Sequence, residues 1–196
     1  NVARFPDINY GPWDRLNGDA AFLKNTDSKP AGAEFYPHDM TKEEFAAADF
    51  ADKDGLYSLV KRKDDGSLYS VPYSDAYKPE LTEAAALLRK ASKLAGNEEF
   101  ANYLNLRADA LLSNDYYASD MAWMDMKTNP VELVIGPIET YEDQLFGYRA
   151  AFEAYVLIKD LAWSDKLSKY AQFLPELQKG LPVPDAYKAE MPGSDA

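Results

Sequence analysis

The sequence predicts an α+β fold, mainly helical, in which a helical hairpin and further helices pack on a small antiparallel sheet. Three observations carry this expectation. Apolar residues recur at helical spacing from Leu81 onward and again after Asn97; a turn signal, Lys63-Asp-Asp-Gly66, separates two β-prone runs; and two further apolar runs, 131–135 and 151–159, flank a polar stretch. With 196 residues, 46% of them hydrophobic, the chain has material for one well-cored domain and is not a candidate for disorder. The expected organisation is an irregular N-terminal arm over 1–40, a single α+β domain over 41–180 and a connecting segment over 181–196.

The arm is rich in Gly, Pro, Asn and Asp, and Phe5, Tyr10, Trp13, Phe22, Phe35 and Tyr36 are expected to pin it down by packing. Tyr10 and Trp13 admit a second use, stacking on a ligand, but packing is the commoner role of an aromatic ring. His38 lies in this stretch and reads as structural. Thr41-Lys-Glu-Glu44 is a capping box with Met40 and Phe45 as its hydrophobic staple, so a short helix is expected through about Phe50. The runs 57–62 and 67–71 then form a hairpin, with Gly66 free to take a positive φ. Two strands alone are marginal, so this hairpin needs a surface to lie on.

From Pro79 a helix is expected with Leu81, Ala84, Leu88, Ala91 and Ala95 inward, stopped at Gly96. Asn97 caps the next, whose inward side carries Phe100, Leu104, Ala108 and Leu111; the short link makes the pair a helical hairpin. A third helix starts at Asn114 or Asp115 and closes before Asn129-Pro130, its Tyr116, Tyr117, Met121, Trp123 and Met124 reading mostly as core. Asp120 and Asp125 in it are five residues apart, which does not put a carboxylate pair on one helix face. In the run 151–159, Phe152, Ala154, Val156 and Ile158 should alternate inward, leaving Glu153, Tyr155 and Lys159 on the polar side. Ser164 is expected to cap a last helix with Leu167, Tyr170, Phe173 or Leu174, and Leu177 inward, kinked at Pro175 and ended near Gly180. Beyond it 181–196 reads as extended.

Composition excludes some classes of function. A net charge of −12 and a pI near 4.5 argue against nucleic acid, whose affinity rests on clustered Lys and Arg. No apolar run is long enough to span a membrane. No signal peptide is visible, although the first residue is Asn1 rather than Met, which leaves room for a leader upstream. The absence of cysteine fits a cytoplasmic protein or a disulfide-free periplasmic one equally. Neither phosphate-binding glycine pattern occurs, there is no Gly-x-Ser-x-Gly elbow, and carboxylates are too many for counting to single out a hydrolytic pair.

What remains is the stretch between the last two strands, which holds Glu139, Tyr141, Glu142, Asp143, Tyr148 and Arg149 on a connection with rigid flanks. Read as residues alone, it is either a binding loop or a charged surface hairpin, since charge clusters are usually solvated faces.

Ile138-Glu139-Thr140-Tyr141, Asp143, Phe146-Gly147, Arg149 and Phe152-Glu153 resemble a segment of the dipeptidyl peptidase III family of zinc peptidases. Tyr10-Gly-Pro-Trp-Asp-Arg-Leu16, Ala118-Ser-Asp-Met-Ala-Trp-Met-Asp125 and Met191-Pro-Gly-Ser-Asp195 are similar to its bacterial branch. The resemblance implies that Glu139 binds the free α-amino group of a peptide, that Tyr141 hydrogen-bonds near the scissile carbonyl and contributes to catalysis, and that Glu153 is a candidate second substrate contact. The chemistry is consistent: a carboxylate suits an ammonium, and a phenol can donate to a developing oxyanion. Around Gln144-Leu145 the stretch carries one residue more than the family's eukaryotic pattern.

The family's zinc site uses His-Glu-x-x-Gly-His and a later Glu-Glu-x-x-Ala-Glu/Asp segment, and neither occurs here. With one histidine and no cysteine, this chain is not expected to bind catalytic zinc itself. The expectation is therefore an N-terminal piece of a zinc hydrolase, serving peptide substrate, whose C-terminal zinc-binding lobe lies elsewhere in the same protein. The alternative is a non-catalytic module that binds peptide or carbohydrate through its aromatic arm and the residues around Tyr141.

Overall fold

The computed structural model of the chain describes residues 4–9 and 11–188. Tyr10, the 191–195 motif and the end of the expected connection 181–196 lie outside the described residues. The fold is α+β and mainly helical, with small sheets of two strands each. The chain forms two compact units, one of residues up to Tyr77 together with Pro137–Phe152, the other of Lys78–Gly136 and the residues from Glu153 onward.

The first unit contains α1 (Phe5–Asn9), β1 (Trp13–Asp14), β2 (Ala20–Ala21), α2 (Lys42–Ala47), β3 (Ser58–Arg62), β4 (Leu68–Pro72) and α3 (Tyr73–Ala76). Its core is aromatic: Phe35, Tyr36, Phe45 and Tyr73 close with Leu59, Val60 and Leu68, and Phe146 and Phe152 pack against them. Phe35 and Tyr36, placed by sequence in a peripheral arm, are thus central to this core, while Phe5 meets Phe22 edge-on and the Trp13 indole donates to the Asp27 carbonyl at 2.8 Å. The hairpin forms as expected, with β3 and β4 antiparallel and Ser58 opposite Pro72; Gly66 takes φ +87°, a conformation in which a Cβ is strained. It lies on the aromatic core, and Val60 donates its N–H to the Phe35 carbonyl.

Thr41 caps α2 by accepting from the Glu44 N–H at 3.0 Å, but the reciprocal half of the box is absent: Glu44 turns to the Arg62 guanidinium instead. The helix stops at Ala47, short of Phe50, because Ala48 is extended and Lys53 Nζ takes the carbonyls of Ala46 and Ala48.

The second unit is built on α4 (Lys78–Leu94) and α5 (Glu98–Ser113), which form the expected helical hairpin, with Asn97 accepting from the Phe100 N–H at 2.8 Å as the cap of α5. The buried face of α4 is Leu81, Ala85, Leu88 and Ser92, not Ala84, Ala91 and Ala95. Polar Ser92 can sit on that face because it is satisfied there: its hydroxyl donates to the Ala101 carbonyl and accepts from Asn105 Nδ2. On α5, Leu104, Ala108 and Leu111 are buried as expected, and Tyr103 and Arg107 join them. The Arg107 guanidinium lies between the rings of Tyr103 and Tyr116, at 5.5 and 5.3 Å, and pairs with Asp120 of α6 (Tyr117–Asp125).

Three expectations for this unit fail on burial. Tyr117, Met121 and Met124 of α6 are exposed, so its aromatic and methionine content is not mostly core. After β5 (Val131–Glu139) comes β6 (Ala151–Ile158), in which Val156 and Ile158 are exposed rather than inward. The last helix is two, α7 (Leu161–Ala171) and α8 (Leu174–Lys179), with the break just before Pro175, which stands at the start of α8 where its missing N–H costs nothing. Asp160 caps α7, accepting from Trp163; Ser164 falls inside the first turn and donates to the Asp160 carbonyl. Leu167, Tyr170, Phe173, Leu174 and Leu177 are all exposed among the described residues. Past Gly180 the chain is extended except for one 3-10 turn at Asp185–Tyr187. No helix among the described residues is long and apolar enough to cross a membrane.

Candidate functional site

The polar stretch flagged by sequence begins while the backbone is still a strand. β5 runs on past the apolar residues through Gly136 and Pro137, so Glu139 is its last residue rather than part of a turn. Gly136 and Pro137 are buried, whereas Ile138 and Glu139 are exposed. The Glu139 carboxylate makes no hydrogen bond or ion pair with any described residue. Two positions on, Tyr141 is 57% exposed, its phenol at the surface of the same unit.

The turn that follows is organised around one carboxylate. Asp143 is 2% exposed. Its Oδ1 accepts the N–H groups of Leu145 and Phe146, both at 3.1 Å, and its Oδ2 accepts those of Tyr148 at 2.9 Å and Arg149 at 3.1 Å. The Tyr36 hydroxyl donates to Oδ2 as well, at 2.6 Å. Burial, and then this bond to an anion, push the Tyr36 phenol far above its ordinary range, so it stays a donor. Asp143 also donates its own N–H to the Thr140 carbonyl and accepts at its carbonyl from Gly147, which takes φ +72° to close the turn. A buried anion with this many donors is well compensated.

Arg149 is fully buried and serves the scaffold. Its Nη1 donates to the Gly55 carbonyl and to Ser58 Oγ, its Nη2 donates to the Lys53 carbonyl at 2.6 Å, and its guanidinium lies 5.7 Å from the Tyr36 ring centroid. The rings of Phe45, Phe146 and Tyr148 stack in succession, which fixes the far side of the turn. The stretch is therefore not a solvated charged hairpin, because two of its charged groups are interior.

Glu142 points to a different set of partners. It pairs with Arg15 and with Lys29, whose Nζ is 3.3 Å from both Glu142 Oε2 and Asp19 Oδ1; Gln144 reaches Asp19 at 3.3 Å. Partial burial pushes the Glu142 carboxyl up, but the bond from Arg15 and the charges of Lys29 and Arg15 outweigh it and hold the group below its ordinary range.

Glu139 and Tyr141 thus belong to one edge of the first unit, while Glu153, half-buried at the third position of β6, belongs to the second. Sequence reasoning missed Asp143 as the organiser of the turn, Tyr36 as its buried partner, and the pairing of Glu142 with the N-terminal arm. The first had a signal: an aspartate followed four residues later by glycine marks a side-chain-templated turn. The others had none, since their partners lie more than 100 residues away.

No group of three His, Cys, Asp or Glu side chains is placed to hold a metal ion among the described residues. His38 is exposed and faces Glu34 at 3.3 Å.

The model of peptidase family M49 matches residues 28–191. Nudix hydrolase 3 of Arabidopsis thaliana is 33% identical over an alignment of 236 residues, covering 93% of this chain and 30% of that protein. Dipeptidyl peptidase 3 of Homo sapiens is 30% identical over 128 residues, covering 64% of this chain and 17% of that protein. Among solved structures, dipeptidyl peptidase III from Caldithrix abyssi superposes with a TM-score of 0.83 at 49% identity, covering 92% of this chain and 35% of that one. The enzyme from Corallococcus sp. strain EGB gives 0.78 at 40% identity, with 92% and 35% covered. The chain spans about a third of the length of these solved structures.

Proposed function

The chain belongs to peptidase family M49, and on that premise we propose that it supplies peptide-binding groups to a dipeptidyl peptidase III-like hydrolase. In this reading Glu139 receives the free α-amino group of an extended peptide, and Tyr141 donates to the carbonyl oxygen of the bond to be cleaved. The observation that carries the reading is the Glu139 carboxylate: exposed at a strand end, without a described partner, and two residues from a surface phenol. An anion with no internal duty is available to a cation from outside, whereas Asp143 in the same stretch is fully engaged.

Each group has a defined task. Glu139 holds the ammonium by charge-assisted hydrogen bonds, which sets where the peptide begins. Tyr141 acts where charge develops on the carbonyl oxygen, so its contribution grows toward the transition state. β5 and β6 form a sheet of only two strands, which leaves strand edge along which an extended peptide can pair. Glu153 is proposed as a further peptide contact on the resemblance alone. The zinc that the resemblance implies is not fitted by the described residues, which offer one exposed histidine and no three-ligand cluster. Such an ion, held elsewhere, would supply the attacking water; the groups of this chain bind, orient and donate.

The test is calorimetric titration of the chain with short peptides bearing free or acetylated amino ends. Free-amine peptides should bind about tenfold or more tightly, and Glu139→Gln should erase the preference. Equal binding of the two peptides by the unaltered chain would sink the amine role and favour a general peptide- or carbohydrate-binding module. In a family enzyme carrying this segment, Tyr141→Phe should lower kcat about a hundredfold with little change in KM; a change confined to KM would remove Tyr141 from the chemistry.

A further inference from the structure

The residue proposed to meet the reacting carbonyl, Tyr141, sits between a strand end and two adjacent acids, and both acids are held. Asp143 is held from within the turn by four backbone N–H groups and Tyr36. Glu142 is held from outside by Arg15 and Lys29 of the N-terminal stretch, and Asp19 completes the tie by taking both Lys29 and Gln144. These partners are themselves anchored. Arg15 donates its N–H to Asn9 Oδ1, and the β1–β2 pairing of Trp13 with Ala21 closes the loop that carries Arg15 and Asp19. All of these residues lie within the first unit.

We infer that the N-terminal stretch is a positioning element for Tyr141: Arg15 and Lys29, through Glu142, hold the backbone beside Tyr141 so that its phenol keeps one orientation at the surface. The inference rests on the reading of Tyr141 as a peptide contact. The division of labour follows from chemistry. Asp143 bonds to the backbone on its C-terminal side, so it fixes the shape of the turn but not the register of residues 140–142. That register needs a contact on the N-terminal side of Asp143, and the Glu142 pairs are the polar side-chain contacts found there among the described residues. Arg suits this role because a planar guanidinium fixes a carboxylate's direction as well as its position. Arg15 and Lys29 are therefore positioning residues, acting through Glu142.

The experiment places 3-fluorotyrosine at position 141 of the full chain and records its fluorine resonance beside peptide titration. The unaltered chain should give a single sharp signal. The double variant Arg15→Gln, Lys29→Gln should split or broaden it and weaken free-amine peptide about tenfold, with an unchanged unfolding midpoint and unchanged exchange protection of the Leu145, Phe146, Tyr148 and Arg149 amides. Arg15→Lys, which keeps the charge but not the fork, should restore part of the sharpness and part of the affinity. An unaltered fluorine signal in the double variant overturns the inference, whatever the peptide does. A signal that responds while peptide binding stays constant keeps the tie but overturns the peptide-contact reading of Tyr141. If the double variant loses protection at the four turn amides, the arm is a general structural brace and the inference is again overturned.

Discussion

Two successive stretches, Pro137–Phe152 and 153–179, both mix acids, aromatic rings and aliphatic side chains, yet they differ in burial. In the first, Asp143, Arg149 and Ala150 are interior and the rings of Phe146 and Tyr148 are stacked. In the second, Val156, Ile158, Trp163 and Leu167 are 71%, 84%, 60% and 65% exposed, and neither α7 nor α8 has a buried residue. Apolar content gives a segment the means to be buried, but a partner surface decides whether it is. The first stretch has one, made of residues far away in the chain: Tyr36, Phe45, Gly55 and Ser58. The second has none among the described residues, and its regular spacing of Leu and aromatic residues is an amphipathic stripe without a described counterpart.

The comparison breaks first at Asp143. Asp143→Ala strips the acceptor from four buried N–H groups and the Tyr36 hydroxyl, and should cost about 3–5 kcal/mol in denaturant unfolding. A loss under about 1 kcal/mol would mean that the turn is held by its rings rather than its carboxylate.

A smaller effect is expected from Glu142. Its folded-state pKa lies below the ordinary value of 4.5, so its ion pairs stabilise the fold at pH above that value and the contribution is lost as pH falls through the folded pKa. Against Glu142→Gln, the unaltered chain should be more stable by about 1 kcal/mol at pH 7, with the gap closing below about pH 4. A gap that is constant with pH would show that packing, not charge, holds the contact.

The smallest effect belongs to the second stretch. Leu167→Ala should change stability by less than about 0.5 kcal/mol, because little apolar area leaves the interior. The same truncation at Leu104, which is 1% exposed, should cost about 2–5 kcal/mol. Comparable losses at both leucines would show that the α7 stripe is covered in solution.

Local signals were legible in the sequence where they act locally. The caps at Thr41 and Asn97, the turn at Gly66 and the hairpin of α4 and α5 each depend on residues a few positions apart, and each is present. The site was legible in part: the spacing marked the stretch, and the resemblance picked out Glu139 and Tyr141, but nothing local distinguished the exposed carboxylate of Glu139 from the interior one of Asp143. Periodicity was misleading where it stood in for burial. Ser92 took the buried place given to Ala91 because a hydroxyl and an amide satisfied it there, and Val156 and Ile158 alternate without an interior to enter.

By itself, the sequence determined the secondary-structure elements, the acidic surface charge and the family segment from Ile138 to Glu153, because these rest on residue type and short spacing. Only the tertiary structure decided which charges face inward. That choice depends on Tyr36, Arg15 and Lys29 arriving beside Glu142 and Asp143, and a buried charge is tolerated only where such partners converge.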